Sequence, residues 1–386
     1  MTSFIRLFVA ILLLAAALIA VIPPQTYTMW QMSVAATEWG HYIAIAALLL
    51  VVIPGWRSST AGKIAAIVSV IAIVVALTPV LRAIPVASKL PKRITAAFGS
   101  TQPLSLPGAN PMMKPLSAAR LFSRPRSPEV GISAMAFADR DGRLLELDLY
   151  RRKDATAPLP IVVTIYGGSW RGGAKGDIPQ LNYYLAARGY GVAAISYRFA
   201  PAHPFPAQTD DVNAAIDYLK SNAARLRLDS SRMVLIGRSA GGQLALQSAY
   251  RKNDPVIKGA VSLYGPTDQK WGWDHPTNQR VYKSFITLSD FMHGDPVTAP
   301  DAYRESSPLN FVNAQTVPTL MIHGGMDPLV SVKQSQRLDS ALAVARRPHL
   351  LVEMPWATHG CDYVSVGPCW QESTYAIERF LAAVMK

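Results

Sequence analysis

The sequence predicts an α/β fold, a mostly parallel sheet with helices on both faces, preceded by N-terminal transmembrane helices. Three observations carry that expectation. Half of the 386 residues are hydrophobic and only 16% are charged, with the apolar excess gathered in the first 84 residues. After Val130, short β-branched runs alternate with helical patterns, as parallel strands joined by helical crossovers require. Two of the strand ends run into glycine-rich turns.

Residues 1–84 form the expected membrane region. Phe8–Ile22 is an apolar run preceded by Arg6 and stopped by Pro23-Pro24, His41–Ile53 is a second, and Ile64–Leu81 is a third without any charge. The last is long enough for roughly 27 Å of helix at ~1.5 Å per residue. A secretory signal peptide is a weaker reading of the first run, because no small-residue cleavage site follows Ile22. Arg6, Arg57 and Lys63 flank the runs so that the positive-inside bias places the N-terminus in the cytoplasm and the C-terminal domain outside, with Arg82, Lys89, Lys92 and Arg93 opposing that orientation. Residues 85–128, rich in Pro, Ser and basic side chains, read as a tether. It holds seven Lys/Arg and no acid up to Arg126, which suits membrane lipid headgroups as well as a solvated linker. The net charge of +13 is therefore not a nucleic-acid signature, and no nucleic-acid partner is expected.

Residues 129–386 form the expected catalytic domain. Ile132–Phe137 and Leu144–Tyr150 read as an antiparallel pair around the turn Asp139-Arg140-Asp141-Gly142. Strands follow at Ile161–Tyr166, Val192–Tyr197, Met233–Ile236, Ala260–Tyr264, Thr319–Ile322 and Leu350–Met354. Helices are expected near Ile178–Arg188, Ala207–Asn222, from Gly237 through about Tyr250, and near Gln371–Met385. Between 266 and 314 the alternation lapses in a stretch carrying Trp271, Trp273, Tyr282, Phe285, Phe291 and Tyr303. Those aromatic residues suit a cap over a pocket, or burial against their own helices.

The chemistry starts at Gly237-Arg238-Ser239-Ala240-Gly241, a G-x-S-x-G pentapeptide between an apolar strand and a small-residue helix. A serine on such a sharp turn presents its hydroxyl outward, and the flanking glycines relieve the crowding. The hydroxyl needs a base and an orienting acid. His359 and Asp327 each follow a strand, in the order Ser, Asp, His. Asp362 is the second candidate acid, Asp210 and Asp211 read as residues of a helix start, and His203, His275, His293, His323 and His349 read as structural or peripheral. Tyr166-Gly167-Gly168-Ser169-Trp170 follows a buried strand. The N–H groups of Gly168, Ser169 and Ala240 are the candidate oxyanion hole; Tyr166, Trp170 and Arg238 are the candidate substrate-binding residues. Cys361 and Cys369 lie close enough to close a small loop in an oxidising compartment, or to remain thiols. No C-x-x-C or His-pair spacing accompanies them, so neither a metal nor a cofactor is expected.

Tyr166–Trp170, Ser196–Pro201, His203–Ala207, Arg238–Gly242 and Thr358–Gly360 resemble the α/β-hydrolase serine carboxylesterases, nearest to the hormone-sensitive-lipase branch and the small bacterial esterases of acetylated carbohydrates. The resemblance runs from about Pro158 to the C-terminus. It implies hydrolysis of a small or lipid-like carboxylic ester through an acyl-enzyme on Ser239. Where the family has His-Gly-Gly-Gly, this chain has Tyr166-Gly167-Gly168-Ser169, so the bracing histidine is missing and a Cβ occupies the third glycine position. Two rival readings remain: a peptidase of the prolyl-oligopeptidase type, which usually carries an N-terminal propeller, and a catalytically silent membrane scaffold.

Overall fold

The computed structural model describes residues 2–99, 111–123, 129–140 and 142–386. Three helices come first: α1 (Ser3–Leu18), α2 (Tyr27–Val52) and α3 (Thr60–Phe98). Thr2, Thr26 and Ser59 cap them, each side chain accepting from a main-chain N–H three residues on. Ala10 packs with Leu50 and Ala65, and Ala17 with Ala44 and Ala76, so small residues let the helices approach closely. Their outer faces carry exposed Phe8, Ile45, Leu49, Ile67 and Val74. Among the described residues, α2 and α3 are long and apolar enough to cross a membrane. The first run is helical only to Leu18, and the second helix begins at Tyr27, well before the expected His41.

The expected tether from residue 85 is corrected by the structure. α3 continues through Pro85 and Pro91 to Phe98. The reason is a buried face: Ala83, Leu90 and Ile94 join the core beneath the sheet, Phe98 meets Phe380 edge-on, and the Arg93 guanidinium donates to the Leu351 carbonyl. That packing outweighs the hydrogen bonds lost at the prolines. Residues 111–123 are also docked, with the N–H groups of Met112 and Ser117 donating to the side chains of Glu378 and Gln371. Residues 100–110, 124–128 and Asp141 of the expected turn lie outside the described residues.

The C-terminal domain is an eight-stranded sheet: β1 (Val130–Arg140), β2 (Arg143–Arg152), β3 (Leu159–Ile165), β4 (Gly191–Ile195), β5 (Leu228–Arg238), β6 (Ile257–Leu263), β7 (Thr319–Gly324) and β8 (His349–Met354). The order across it is β1-β2-β4-β3-β5-β6-β7-β8. β1–β2 and β2–β4 pair antiparallel and the remaining neighbours pair parallel. Helices α4 (Gln180–Ala186), α5 (Ala207–Ser221), α6 (Ala223–Leu226), α7 (Ala240–Lys252), α8 (Gln269–Asp274), α9 (Ser284–Met292), α10 (Pro300–Glu305), α11 (Lys333–Val344) and α12 (Pro368–Val384) complete it. β3 is buried along its whole length, as a strand covered on both faces must be. Because the central strands run parallel, the loops after β3, β5, β7 and β8 emerge along one edge.

α12 carries Glu372, whose carboxyl oxygens have no hydrogen-bond partner. Burial, reinforced by the charge of Glu38, pushes that carboxyl up to about 9. The folded chain therefore holds a proton that the unfolded chain releases near its ordinary value of 4.5. Stability contributed by this proton is complete below that value and is lost as pH rises through about 9. Glu372→Gln should flatten the decline in melting temperature over this window, and an unchanged pH profile in thermal unfolding would contradict the assignment.

Candidate active site

The turn after β5 places Ser239 at φ +52° and ψ −122°, directly before α7. A Cβ at Gly237 would run into the Gly241 carbonyl, and one at Gly241 into the carbonyls of Ile165 and Tyr166. Only glycine at both positions lets the helix start within one residue of the strand end. The Ser239 N–H donates to the Leu263 carbonyl, and the Ser239 carbonyl accepts from the N–H groups of Gly242 and Gln243.

Loops after β7 and β8 bring the other two groups. His359 Nε2 lies 3.0 Å from Ser239 Oγ, and His359 Nδ1 lies 2.6 Å from Asp327 Oδ2. Asp327 also accepts from the N–H groups of Leu329 and Val330. Its burial opposes ionisation, but the charges and hydrogen bonds of His359 and His323 prevail and hold the carboxyl well below the usual range. His323, expected to be structural, is fixed between Ser335 and the Val330 carbonyl, 3.3 Å from Asp327. Asp362, the second candidate acid, makes no hydrogen bond to His359 among the described residues. It pairs with Arg238 and accepts from the Tyr264 hydroxyl.

The loop after β3 faces the hydroxyl. Gly168 takes φ +128°, a conformation in which a Cβ would strike the Gly172 carbonyl, and Ser169 takes φ +58°. Among the described residues, the N–H groups of Gly168, Ser169 and Ala240 donate to no protein acceptor. Ser169 Oγ accepts from the Tyr282 hydroxyl at 3.0 Å. The expected crowding at Ser169 is thus accompanied by a brace from the insertion between β6 and β7. Tyr166, where the family has histidine, stacks on Tyr197 at 4.5 Å, and its main-chain carbonyl accepts from the Tyr197 hydroxyl.

A cavity of about 440 Å³ joins Gly168, Ser169, Ser239 and His359. The three expected substrate-binding residues do not line it. Trp170 is buried, stacked on Phe291 at 4.1 Å and donating to Gln243 Oε1. Tyr166 and Arg238 line a neighbouring hollow of about 300 Å³ that shares Gly168 and Tyr363 with this cavity. The cavity instead takes Tyr282, Leu329 and Tyr363 from the C-terminal domain, and Tyr27, Trp30, Gln31 and Val34 from α2. The last four recur at i, i+3, i+4 and i+7, a helical face visible in the sequence but absorbed into its membrane reading. The Trp30 indole N–H donates to the His359 carbonyl at 3.0 Å. Just beyond His359, Cys361 and Cys369 are joined in a disulfide.

The strand order and the serine turn define an α/β-hydrolase with a Ser–His–Asp constellation. The chain belongs to the BD-FAE family, whose model matches residues 147–342. It is 30% identical over 261 residues to the probable carboxylic ester hydrolase LipM of Mycobacterium tuberculosis (strain ATCC 25618 / H37Rv), covering 63% of this chain and 59% of LipM. It is 30% identical over 262 residues to Esterase LipC of the same strain, covering 62% of each chain. The match thus spans about three fifths of the length of these relatives. A solved bacterial heroin esterase shares the fold, with a TM-score of 0.58 at 21% identity over 67% of this chain and 85% of that one.

The buried Arg238–Asp362 pair makes a testable statement independent of chemistry. Arg238→Met strands a carboxylate and should cost about 3–5 kcal/mol. Adding Asp362→Leu should restore much of it. Equal melting temperatures for wild type and Arg238→Met would refute the pairing.

Proposed function

We propose that the chain is a membrane-anchored carboxylic-ester hydrolase that works through an acyl-enzyme on Ser239. The observation that carries this reading is the 3.0 Å approach of His359 Nε2 to Ser239 Oγ, with Nδ1 held by Asp327. His359 takes the serine proton as Oγ attacks the ester carbonyl. The tetrahedral oxyanion forms against the N–H groups of Gly168, Ser169 and Ala240, donors worth ~3 kcal/mol of barrier each. His359 then protonates the departing alcohol, and a water activated by the same imidazole releases the acid. Asp327 stays ionised throughout and holds the imidazole tautomer. The names of the relatives and the family membership support this reaction class.

Anchoring rests on α2 and α3, with α1 packed beside them as a third crossing. Arg6 donates to the Ile53 and Pro54 carbonyls, so Arg6, Arg57 and Lys63 gather at the end of the bundle remote from the catalytic domain. By the positive-inside bias that end is cytoplasmic and the hydrolase domain extracytoplasmic. The Cys361–Cys369 disulfide supports an oxidising compartment.

A fluorophosphonate probe should label the full chain, and Ser239→Ala should abolish labelling; labelling that survives would overturn the nucleophile. p-Nitrophenyl acetate should be hydrolysed and a dipeptide p-nitroanilide should not, the reverse favouring a peptidase. Tyr282→Phe removes the brace on Ser169, a hydrogen bond of about 1 kcal/mol. It should lower kcat about fivefold with little change in KM, and an unaltered kcat would remove Tyr282 from the oxyanion loop's support.

A further inference from the structure

We propose that Trp30 of the N-terminal bundle is a positioning residue for the reaction at Ser239. Its indole holds the main chain of the base, so His359 stays aligned with the hydroxyl only while α2 is docked on the hydrolase domain. The proposal rests on the hydrolase reading above and adds to it a residue from outside the hydrolase domain.

The first support is an unshared hydrogen bond. His359 stands in the loop after β8, beyond the last paired residue of that strand, and Gly360 behind it takes φ +74°. No sheet partner is therefore available to the carbonyl between them. His359 is buried, and among the described residues the one donor to its carbonyl is the Trp30 indole N–H at 3.0 Å. A buried carbonyl left without a donor carries its full desolvation cost, and a loop that turns to relieve that cost turns the imidazole with it. The imidazole has little room for this. Its Nε2 lies 3.0 Å from Ser239 Oγ and its Nδ1 lies 2.6 Å from Asp327 Oδ2, and a misplacement of about 1 Å costs on the order of 100-fold in rate.

The second support is that the same side chain reaches the loop of the acid. Trp30 and Val34 pack with Val281, and Leu329 and Val364 close against them. The Leu329 N–H donates to Asp327 Oδ1. One indole thus braces the loop after β7 through a packing contact and the loop after β8 through a hydrogen bond.

The third support is a second grip on the loop of the base. Two turns further along α2, roughly 12 Å from Trp30, Glu38 Oε2 accepts from the Cys369 N–H at 3.0 Å. A Cβ at Gly367 would strike the same carboxyl group. Trp30 and Glu38 therefore hold the two ends of segment 359–369 on one continuous helix, and the rigid rise of that helix sets where the segment starts and stops.

The test uses the full chain in phosphatidylcholine vesicles with p-nitrophenyl acetate as substrate. Trp30 is changed in two ways: Trp30→Phe, and replacement of the indole by 3-benzothienylalanine, which keeps the ring shape and removes only the N–H. Both should lower kcat about tenfold with KM within about twofold, and the rate of fluorophosphonate labelling should fall in parallel. Ile94→Ala, a truncation in the core beside α12, should lower the melting temperature at least as far and leave kcat within about twofold of wild type. Full kcat with the benzothienyl side chain would overturn the proposal and reduce Trp30 to a packing contact. A raised KM at unchanged kcat would also overturn it, making Trp30 a substrate contact. A loss of kcat in Ile94→Ala equal to that in Trp30→Phe would overturn it as well, since the effect would then follow stability. Each of these leaves the hydrolase reading standing, whereas a wild-type chain that neither turns over the ester nor takes the probe would remove that reading and this proposal with it.

Discussion

The active edge depends on the crowded turn between β5 and α7. Ser239 is held at a positive φ that a side-chain-bearing residue adopts at a cost on the order of 1–3 kcal/mol. The turn persists because its surroundings leave no alternative. Gly241 packs against the end of β3, Gly237 against Gly241, and the Ser239 N–H bonds to β6. The same contact that compresses the turn brings the β3 loop within reach of the hydroxyl, so Ser239 and the N–H groups of Gly168 and Ser169 are positioned by one packing event. The parallel register from β5 to β8 then fixes where the next two loops emerge, and Asp327 and His359 arrive without any further special device.

His359 is restrained from three directions. Asp327 holds one imidazole nitrogen, the ring of Tyr264 lies 4.4 Å away, and the Trp30 indole holds the main-chain carbonyl. Below it, Asp362 ties Arg238 and Tyr264 together, and the disulfide closes the segment that follows. Reaching His359 from α2 means that the N-terminal bundle walls the cavity at Ser239 and is not an anchor on a string. The same conclusion follows from α3, whose last turns are built into the core beside α12, and from the Cys369 N–H, which donates to Glu38 of α2. Bundle and hydrolase domain meet across buried side chains at several places, a constraint that an extended tether would have lacked.

The order of elements, the serine turn and the Ser, Asp, His sequence were legible in the chain because each depends on short-range rules. Strand periodicity, glycine at a turn and residue type after a strand end are all local. The helix over residues 85–98 was not legible, since Pro85, Pro91 and four nearby basic side chains masked the buried face of Ala83, Leu90 and Ile94. The neighbours of Arg238, Tyr166 and Trp170 were equally hidden. Adjacency to Ser239 in sequence places Arg238 beside the nucleophile, but a strand alternates its faces, and Arg238 turns inward to Asp362.

By itself the sequence determined the type of sheet and placed Ser239, Asp327 and His359 after its strands, because a G-x-S-x-G turn and the loops after parallel strands follow from local backbone chemistry. Tertiary structure alone decided what surrounds the hydroxyl. The cavity wall is assembled from α2, from the insertion after β6 and from the loop behind His359, with α2 more than two hundred residues ahead of the other two. Their meeting depends on which buried faces fit together, and no local pattern encodes that fit.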